Sequence, residues 1–450
     1  MLAPDDAKCI QLLMSMNDEV DVVILGAGMA GLVAARGLAE RGVRVVVLEA
    51  KDRVGGRVFT RKAEGGGTVE LGAEFVHGRA LELWALIDEC GAKTVERDGT
   101  MLREEWGGDV VEDDPQDEVM FEPLEALEDF EGEDVAFADW LAASDVPEDE
   151  RAALTGYVEG FNAADAKRIG VKALGVQQKA EDAIEGDRAW HVLGGYGQLA
   201  ESLAARVKEL GGEVRLGWEA VALRWRAGDV EVETNRGVVH AKRCVVTLPL
   251  GVLQCVNDEG CLRIAPEPAA IVQARRLEMG HAVRFTMVFR SKWWERSGVA
   301  DEKKLAAMSF LFTFQRGVRV WWTAHPEPEA LPALTGWVGG PQAMELEGKS
   351  AGELGRAACA ELAGVFDVAE DLVRWELVAT YAHDWSGDVH ARGAYSYVPA
   401  GALDAPAAMT RPEAGTLFFA GEHTDVTGHW GTVHAAIRSG LRAAAQVLGE

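Results

Sequence analysis

Apolar residues along the chain follow two periods, and their order predicts strands and helices in alternation. Val20–Leu25 is a short β-branched run, and Val43–Leu48 is a second one that ends in Glu49. Between them a helical stretch extends from Met29 to about Arg41. The result is a strand–helix–strand unit of about 30 residues. From about Ala80 to Arg188 the pattern changes to acidic, helical segments without strand alternation. Gly194-Gly195-Tyr196-Gly197 then leads into a helix around Leu199–Leu210. After Gly211-Gly212, strands are expected at Val214–Leu216, Val221–Trp225, Val230–Thr234 and Val238–Val246. Ala282–Phe289 and Val318–Thr323 read as further strands and Ala351–Phe366 as a helix. Leu417–Ala420 is a last brief strand, followed by a glycine-containing turn and a helix to the terminus.

The chain has 450 residues, roughly three times the usual domain size, so two or more domains are expected. Hydrophobic residues make up 48% of it and include 14 Trp, ample for buried cores. No stretch approaches the roughly 20 apolar residues that span a bilayer, so no membrane anchor is expected. No basic segment followed by an apolar one stands at the N-terminus, so no secretory signal is read and a cytoplasmic location is expected. The net charge of −28 argues against a nucleic-acid partner, whose phosphates demand a basic face. Much of that charge lies between Glu104 and Glu150, as a solvated surface or as a field that concentrates cationic substrates such as amines. The six cysteines form no CxxC pair and no Cys/His cluster. Neither a disulfide nor a metal site is expected, and Cys255 and Cys261 read as ordinary thiols.

Gly26-Ala27-Gly28-Met29-Ala30-Gly31 follows the first strand and opens the first helix, with Glu49 about 20 residues on. In that context a common glycine pattern becomes a dinucleotide-binding fingerprint. Gly26, Gly28 and Gly31 permit a tight turn and bring backbone N–H groups, with those of Met29 and Ala30, to a pyrophosphate at the positive end of the helix. Glu49 is placed to accept hydrogen bonds from ribose hydroxyls.

The run Glu49-Ala50-Lys51-Asp52-Arg53-Val54-Gly55-Gly56-Arg57 resembles the second dinucleotide-contact motif of the flavin-containing amine oxidases. The resemblance implies FAD, with Ala50, Lys51, Gly56 and Arg57 among its contacts. It extends over nearly the whole chain. Glu70–Gly78, with Gly72, Ala73, Glu74 and His77, looks like the family segment that passes beside the isoalloxazine. Trp190–Gly197 resembles the WxVxGGYG approach, and Thr247-Leu248-Pro249-Leu250-Gly251-Val252-Leu253 the TxPLGVL signature, with Val221 at the position that packs near the adenine. Phe419-Ala420-Gly421-Glu422-His423-Thr424 is similar to the AGE(H/E)T motif, whose glycine and acid contact the ribityl-phosphate region. Gly431, Thr432 and Val433 then begin the last helix beneath the flavin.

The implied fold is α/β (α+β overall). A Rossmann-type FAD-binding domain is expected from residues 17–80, 189–270 and 384–450. A discontinuous substrate-binding domain of mixed sheet and helix is expected from 81–188 and 271–383, with 1–16 a disordered extension. The resemblance also implies the chemistry: hydride transfer from the α-carbon of a primary or secondary amine to the flavin, imine hydrolysis to an aldehyde, and reoxidation by O2 to peroxide. The organic chemistry of that transfer is the cofactor's. Trp385 and Tyr395 match the aromatic walls that hold the amine, and Ala394 stands where some members carry a cysteine bonded to the flavin, so non-covalent FAD is expected.

Two residues depart from the family pattern. Thr432 stands where many members place a second cage aromatic. Arg284 occupies the place of the family's active-site lysine, and since arginine stays charged it serves to order a water or to bind a substrate carboxylate rather than as a base. Glu74 and His77 are candidates for contact with a substrate ammonium. Alternatives remain open: desaturation or isomerisation of an apolar molecule on the same fold, oxidation of an amino acid, or a non-catalytic FAD-binding protein. The oligomer is expected to be a monomer or a homodimer.

Overall fold

The computed structural model describes residues 20–105, 107–113, 122–313, 316–324 and 331–450. The expected extension 1–16 and part of the acidic stretch lie outside them. The strand Val20–Leu25 pairs in parallel with Val45–Glu49 on one side and with Gly237–Val246 on the other. Glu213–Leu216 and Leu417–Phe419 add to the same parallel set. Val45–Glu49 is buried at all its positions, which is why it reads as an unbroken apolar run rather than an alternating one. Gly237–Val246 then turns the sheet antiparallel through Asp229–Thr234 and Ala220–Arg226, and Arg263–Ala265 closes that edge.

Among the helices that cover one face of this sheet are Met29–Glu40, Gly197–Glu209 and the last helix Val433–Leu448. Met29–Glu40 and Val433–Leu448 approach closely: a Cβ on Gly440 would fall 2.3 Å from the Ala30 carbonyl oxygen, so this crossing requires glycine.

A second large sheet has the order Leu377–Ala382, Ala282–Phe289, Ala333–Gly339, Val320–Thr323, Met308–Phe312, Thr100–Glu104, Val110–Glu112. Ala282–Phe289 is buried at every position because strands flank it on both sides and its Phe285, Met287 and Phe289 share a core with Leu354, Ala358 and Leu362 of helix Ala351–Val365. Helices Phe137–Ala143, Glu148–Asn162 and Val171–Asp182 form a separate block around Phe137, Leu154 and Val158. Among the described residues no helix is long and apolar enough to cross a membrane.

The reading of 80–188 as helical without strands is corrected at one end. Thr94–Glu96, Thr100–Glu104 and Val110–Glu112 are strands. They are too short and too rich in acids to show alternation, and Thr100–Glu104 is held by a partner about 200 residues away, Met308–Phe312. The expectation of no disulfide is also corrected, since Cys255 and Cys261 are bonded. The chain doubles back at Asn257 and Gly260, both at positive φ, which brings the two Cα atoms to 5.3 Å, within the range a disulfide spans.

Candidate active site

A cavity of about 1640 Å3 begins at the C-terminal ends of the parallel strands and takes its far wall from the second sheet. Pockets for drug-sized ligands are typically about 300–1,000 Å3. This one has room for a large cofactor beside a substrate.

At its nucleotide end the geometry is backbone-made. Gly26 sits at φ 102°, and a Cβ on Gly31 would fall 2.0 Å from the Gly26 carbonyl oxygen, so the turn folds onto the helix only with glycine there. Thr247 Oγ1 donates to Leu25 O at 2.8 Å and fixes the turn from the next strand. The Glu49 carboxylate accepts from Ala27 N at 2.7 Å and Lys51 N at 2.9 Å, which ties the two strand ends together. A Cβ on Gly28 would meet no protein atom within 4 Å, so the N–H groups of the helix start face open cavity. The chemistry of this cradle fits a dinucleotide's pyrophosphate and ribose.

Farther along, Arg57 donates to Glu422 Oε1 at 2.8 Å and to Ala394 O at 3.0 Å. Glu422 also accepts from Ser396 Oγ and Gly431 N. Burial opposes its charge, yet Arg57, His423 and Ser396 hold the carboxyl below the usual range. The Lys51 ammonium pairs with Asp388, which His383 also contacts at 2.7 Å.

Of the residues singled out from the sequence, Gly31 and Val221 do not line the cavity; the wall near Val221 is made by Trp218, Glu219 and Ala220. Gly26, Gly28, Met29, Ala30, Glu49, Ala50, Lys51, Gly56, Arg57, Gly72, Ala73, Glu74, His77 and Thr247 line it, as do Arg284, Trp385, Tyr395, Gly421, Glu422, Gly431, Thr432 and Val433.

The comparisons with known proteins agree with this layout. A family model described as flavin containing amine oxidoreductase matches residues 29–448. The chain belongs to that family. A flavin-containing amine oxidase of Oncorhynchus mykiss is 26% identical over 97% of this chain and 87% of its own length. Putrescine oxidase of Kocuria rosea is 28% identical over 96% of this chain and 95% of its own. A solved structure of putrescine oxidase bound to putrescine superposes with TM-score 0.79 at 23% identity, covering 96% of this chain and 99% of that one, and shows the shared fold.

In this flavin amine oxidoreductase the far wall is made of side chains from distant segments. Arg284, only 4% exposed, donates to Glu74 Oε2 at 2.5 Å and to Gly72 O at 2.8 Å. Trp322 Nε1 donates to the same carboxylate at 3.0 Å, and His191 approaches it at 3.5 Å. Burial would raise the Glu74 carboxyl, but Arg284 first and His191 next hold it below the usual range. Each terminal nitrogen of Arg284 therefore already has a protein acceptor, and Glu74 is already paired with a cation.

His77 differs. Among the described residues it has no hydrogen-bond partner, its ring lies edge-on to Phe75 and Phe161, and burial pushes its pKa down to about 4. At neutral pH it is an uncharged imidazole facing the cavity.

Tyr395 lies parallel to Trp337, with centroids 6.4 Å apart and planes 13° from parallel, and its hydroxyl donates to Phe161 O at 2.6 Å. Trp385 Nε1 donates to Leu71 O at 2.7 Å, and its ring meets His383 edge-on. Thr432 is the N-cap of the last helix: Oγ1 accepts from Ala435 N at 3.1 Å and donates to His429 O at 2.8 Å. Its hydroxyl is engaged by the backbone.

Trp322 and Trp337 escaped the motif reading. Their strands pair antiparallel with Val320 opposite Trp337 and Trp322 opposite Thr335, which puts both indoles on one face. Pairing Val320–Thr323 with Ala333–Gly339 as neighbouring strands is the signal that finds them, and Ala333–Gly339 is a strand beyond those expected from the sequence.

Proposed function

We propose that this flavin amine oxidoreductase holds FAD without a covalent bond and oxidises a primary or secondary amine, monoamine or polyamine, to an imine that hydrolyses to an aldehyde, with O2 as the electron acceptor and peroxide as product. When bound, the flavin supplies the hydride acceptor and the route to oxygen. The carrying observation is a single cavity that begins at a dinucleotide cradle and ends at an aromatic wall.

The cradle Gly26–Gly31 with Glu49 takes the adenosine and pyrophosphate, and Arg57 with Glu422 the chain toward the ring. Ala394 offers no sulfur for a covalent link. Tyr395, Trp337 and Trp385 exclude water and present ring faces to the substrate nitrogen. His77, neutral at working pH, accepts a hydrogen bond from the amine and adds no positive charge to oppose its entry. Acids at the rim, among them Glu150, Asp182 and Asp187, draw cations toward the mouth. Arg284 is a positioning residue that fixes Glu74 and the Gly72 carbonyl. Its existing acceptors weigh against capture of a substrate carboxylate, and so against an amino acid substrate. The putrescine oxidase relative favours a small diamine or polyamine.

The test is anaerobic mixing of the purified yellow protein with putrescine, spermidine, spermine, aromatic monoamines and amino acids, followed by oxygen. Bleaching of the flavin band by one amine class, with recovery and peroxide, is the expected result. Bleaching only by amino acids, or by no amine, overturns it.

A further inference from the structure

A second set of chemically active side chains lies on the cavity wall, outside the groups used above. Glu181 comes from the last turn of helix Val171–Asp182, while His429 and His434 flank the start of the last helix. One ligand-type atom from each lies within 4.8 Å of the others. All three side chains offer lone pairs. Among the described residues no hydrogen-bond donor or cation reaches the Glu181 carboxylate. His434 is 2% exposed and its Nε2 has no partner. Half-buried Glu181 and buried His434, both with unused lone pairs, converge with the buried His429 ring and define a hole for a cation.

We propose that Glu181, His429 and His434 form a divalent transition-metal site of the zinc type, which clamps the start of the last helix to helix Val171–Asp182. Two imidazoles and a carboxylate suit zinc better than calcium or magnesium, which prefer all-oxygen shells. Zinc bonds of about 2.0–2.2 Å put tetrahedral ligand atoms about 3.4 Å apart. The three groups therefore draw in by about an ångström on binding, within reach of side-chain rotation.

The supporting shell is already in place. Asp425 Oδ1 accepts from Thr427 N, Thr427 Oγ1, Gly428 N and His429 N, and so holds the loop that carries His429. Thr427 Oγ1 lies 2.9 Å from His429 Nδ1, a partner that orients the ring. His429 also donates through Nε2 to Ala180 O at 2.9 Å, and Arg438 stands 3.2 Å from Nδ1; a metal exchanges with one of these contacts. The Arg438 charge is balanced by Glu82 at 2.6 Å and Asp425 at 3.1 Å. Glu181 and His434 both line the cavity, so the remaining coordination position opens toward it, where water or an amine nitrogen completes the shell.

The proposal stands apart from the oxidase reading, because its test reads binding and not turnover. Chelator-treated, flavin-loaded protein is titrated with zinc chloride in a calorimeter, and the thermal midpoint is followed in parallel. A saturable site and a raised midpoint are expected. Glu181→Gln and His429→Gln are expected to weaken zinc by at least about 100-fold, beyond the about 10–100-fold that outer-sphere changes produce, while Thr427→Val falls within that lower range. Flavin content and circular dichroism of each variant establish that it is folded, and Glu181→Gln, at a helix end with no hydrogen bond to lose, keeps the test alive if His429→Gln does not fold. No saturable zinc binding, or equal affinity in parent and Glu181→Gln, overturns the proposal. So does the pattern in which zinc gives no heat and Glu181→Gln weakens putrescine instead, which would make the hole an ammonium subsite.

Discussion

The two ends of the cavity are built by opposite means. At the nucleotide end the geometry comes from backbone within one short stretch: Gly26 to Gly31, with Glu49 and Thr247 bonded to main-chain atoms of the same turn. At the substrate end it comes from side chains of segments far apart, with Glu74, Arg284, Trp322 and Trp337 meeting only in the folded chain. A backbone cradle tolerates almost no change in the residues that make it. A side-chain wall is adjustable residue by residue, which is why the proposed function assigns substrate choice to it.

That contrast is open to attack, beginning with the cradle. Gly31→Val places carbon against the Gly26 carbonyl, and the loss is expected to exceed about 4 kcal/mol, or to leave no folded flavoprotein. The flavin-to-protein ratio and thermal midpoint decide it; normal flavin loading would mean that the turn is not fixed by backbone.

In the wall, Glu74→Gln strands a buried guanidinium and is expected to lower stability by about 3–5 kcal/mol in denaturant unfolding. Adding Arg284→Met to the same chain removes the second charge and should restore most of that loss. If the double variant is no better than the single one, the pair is not the unit described above.

Glu70, four residues before Glu74, accepts from Thr60 Oγ1 and Tyr196 N, and burial raises its pKa from 4.5 to about 7. A raised folded-state pKa contributes stability that is complete below the unfolded value and is lost as pH climbs through the folded one. The parent should lose about 1–3 kcal/mol between pH 4.5 and about 7, and Glu70→Gln should show a flatter slope across that window. Glu181, raised to about 7 by burial and by Asp182, titrates in the same range in both proteins, so the difference between the slopes is the readout.

The smallest effect is expected at Thr432. Thr432→Ala removes a helix cap and should cost about 1 kcal/mol of stability with little change in KM. A large rise in KM with unchanged stability would return Thr432 to the substrate wall.

Legibility in the sequence followed the same division. The glycines, Glu49, Arg57, Thr247 and Glu422 were readable because each sits at a fixed offset within a short motif. Val45–Glu49 was readable because burial on both faces leaves Val45–Leu48 unbroken and apolar, and Ala282–Phe289 because its buried positions are apolar apart from Arg284 and Thr286. Thr100–Glu104 was not, because its identity as a strand depends on Met308–Phe312. The Arg284–Glu74 pair was half visible: both residues stood out, but nothing in either segment says that they touch. Trp337 had no local mark, since what makes it part of the site is Tyr395 stacked on it. The Cys255–Cys261 bond escaped for a different reason, because spacing alone does not report the turn at Asn257 and Gly260.

The strand Gly237–Val246 receives Val20–Leu25 along one edge and Leu417–Phe419 at its end. Two neighbours of one strand thus leave the ribosome far apart in time. At about 5–20 residues per second, the about 390 residues between Leu25 and Leu417 take about 20–80 s to make. Throughout that interval the nascent sheet lacks Leu417–Phe419 and the helix that covers its face, so Gly237–Val246 waits for the neighbour that completes its edge.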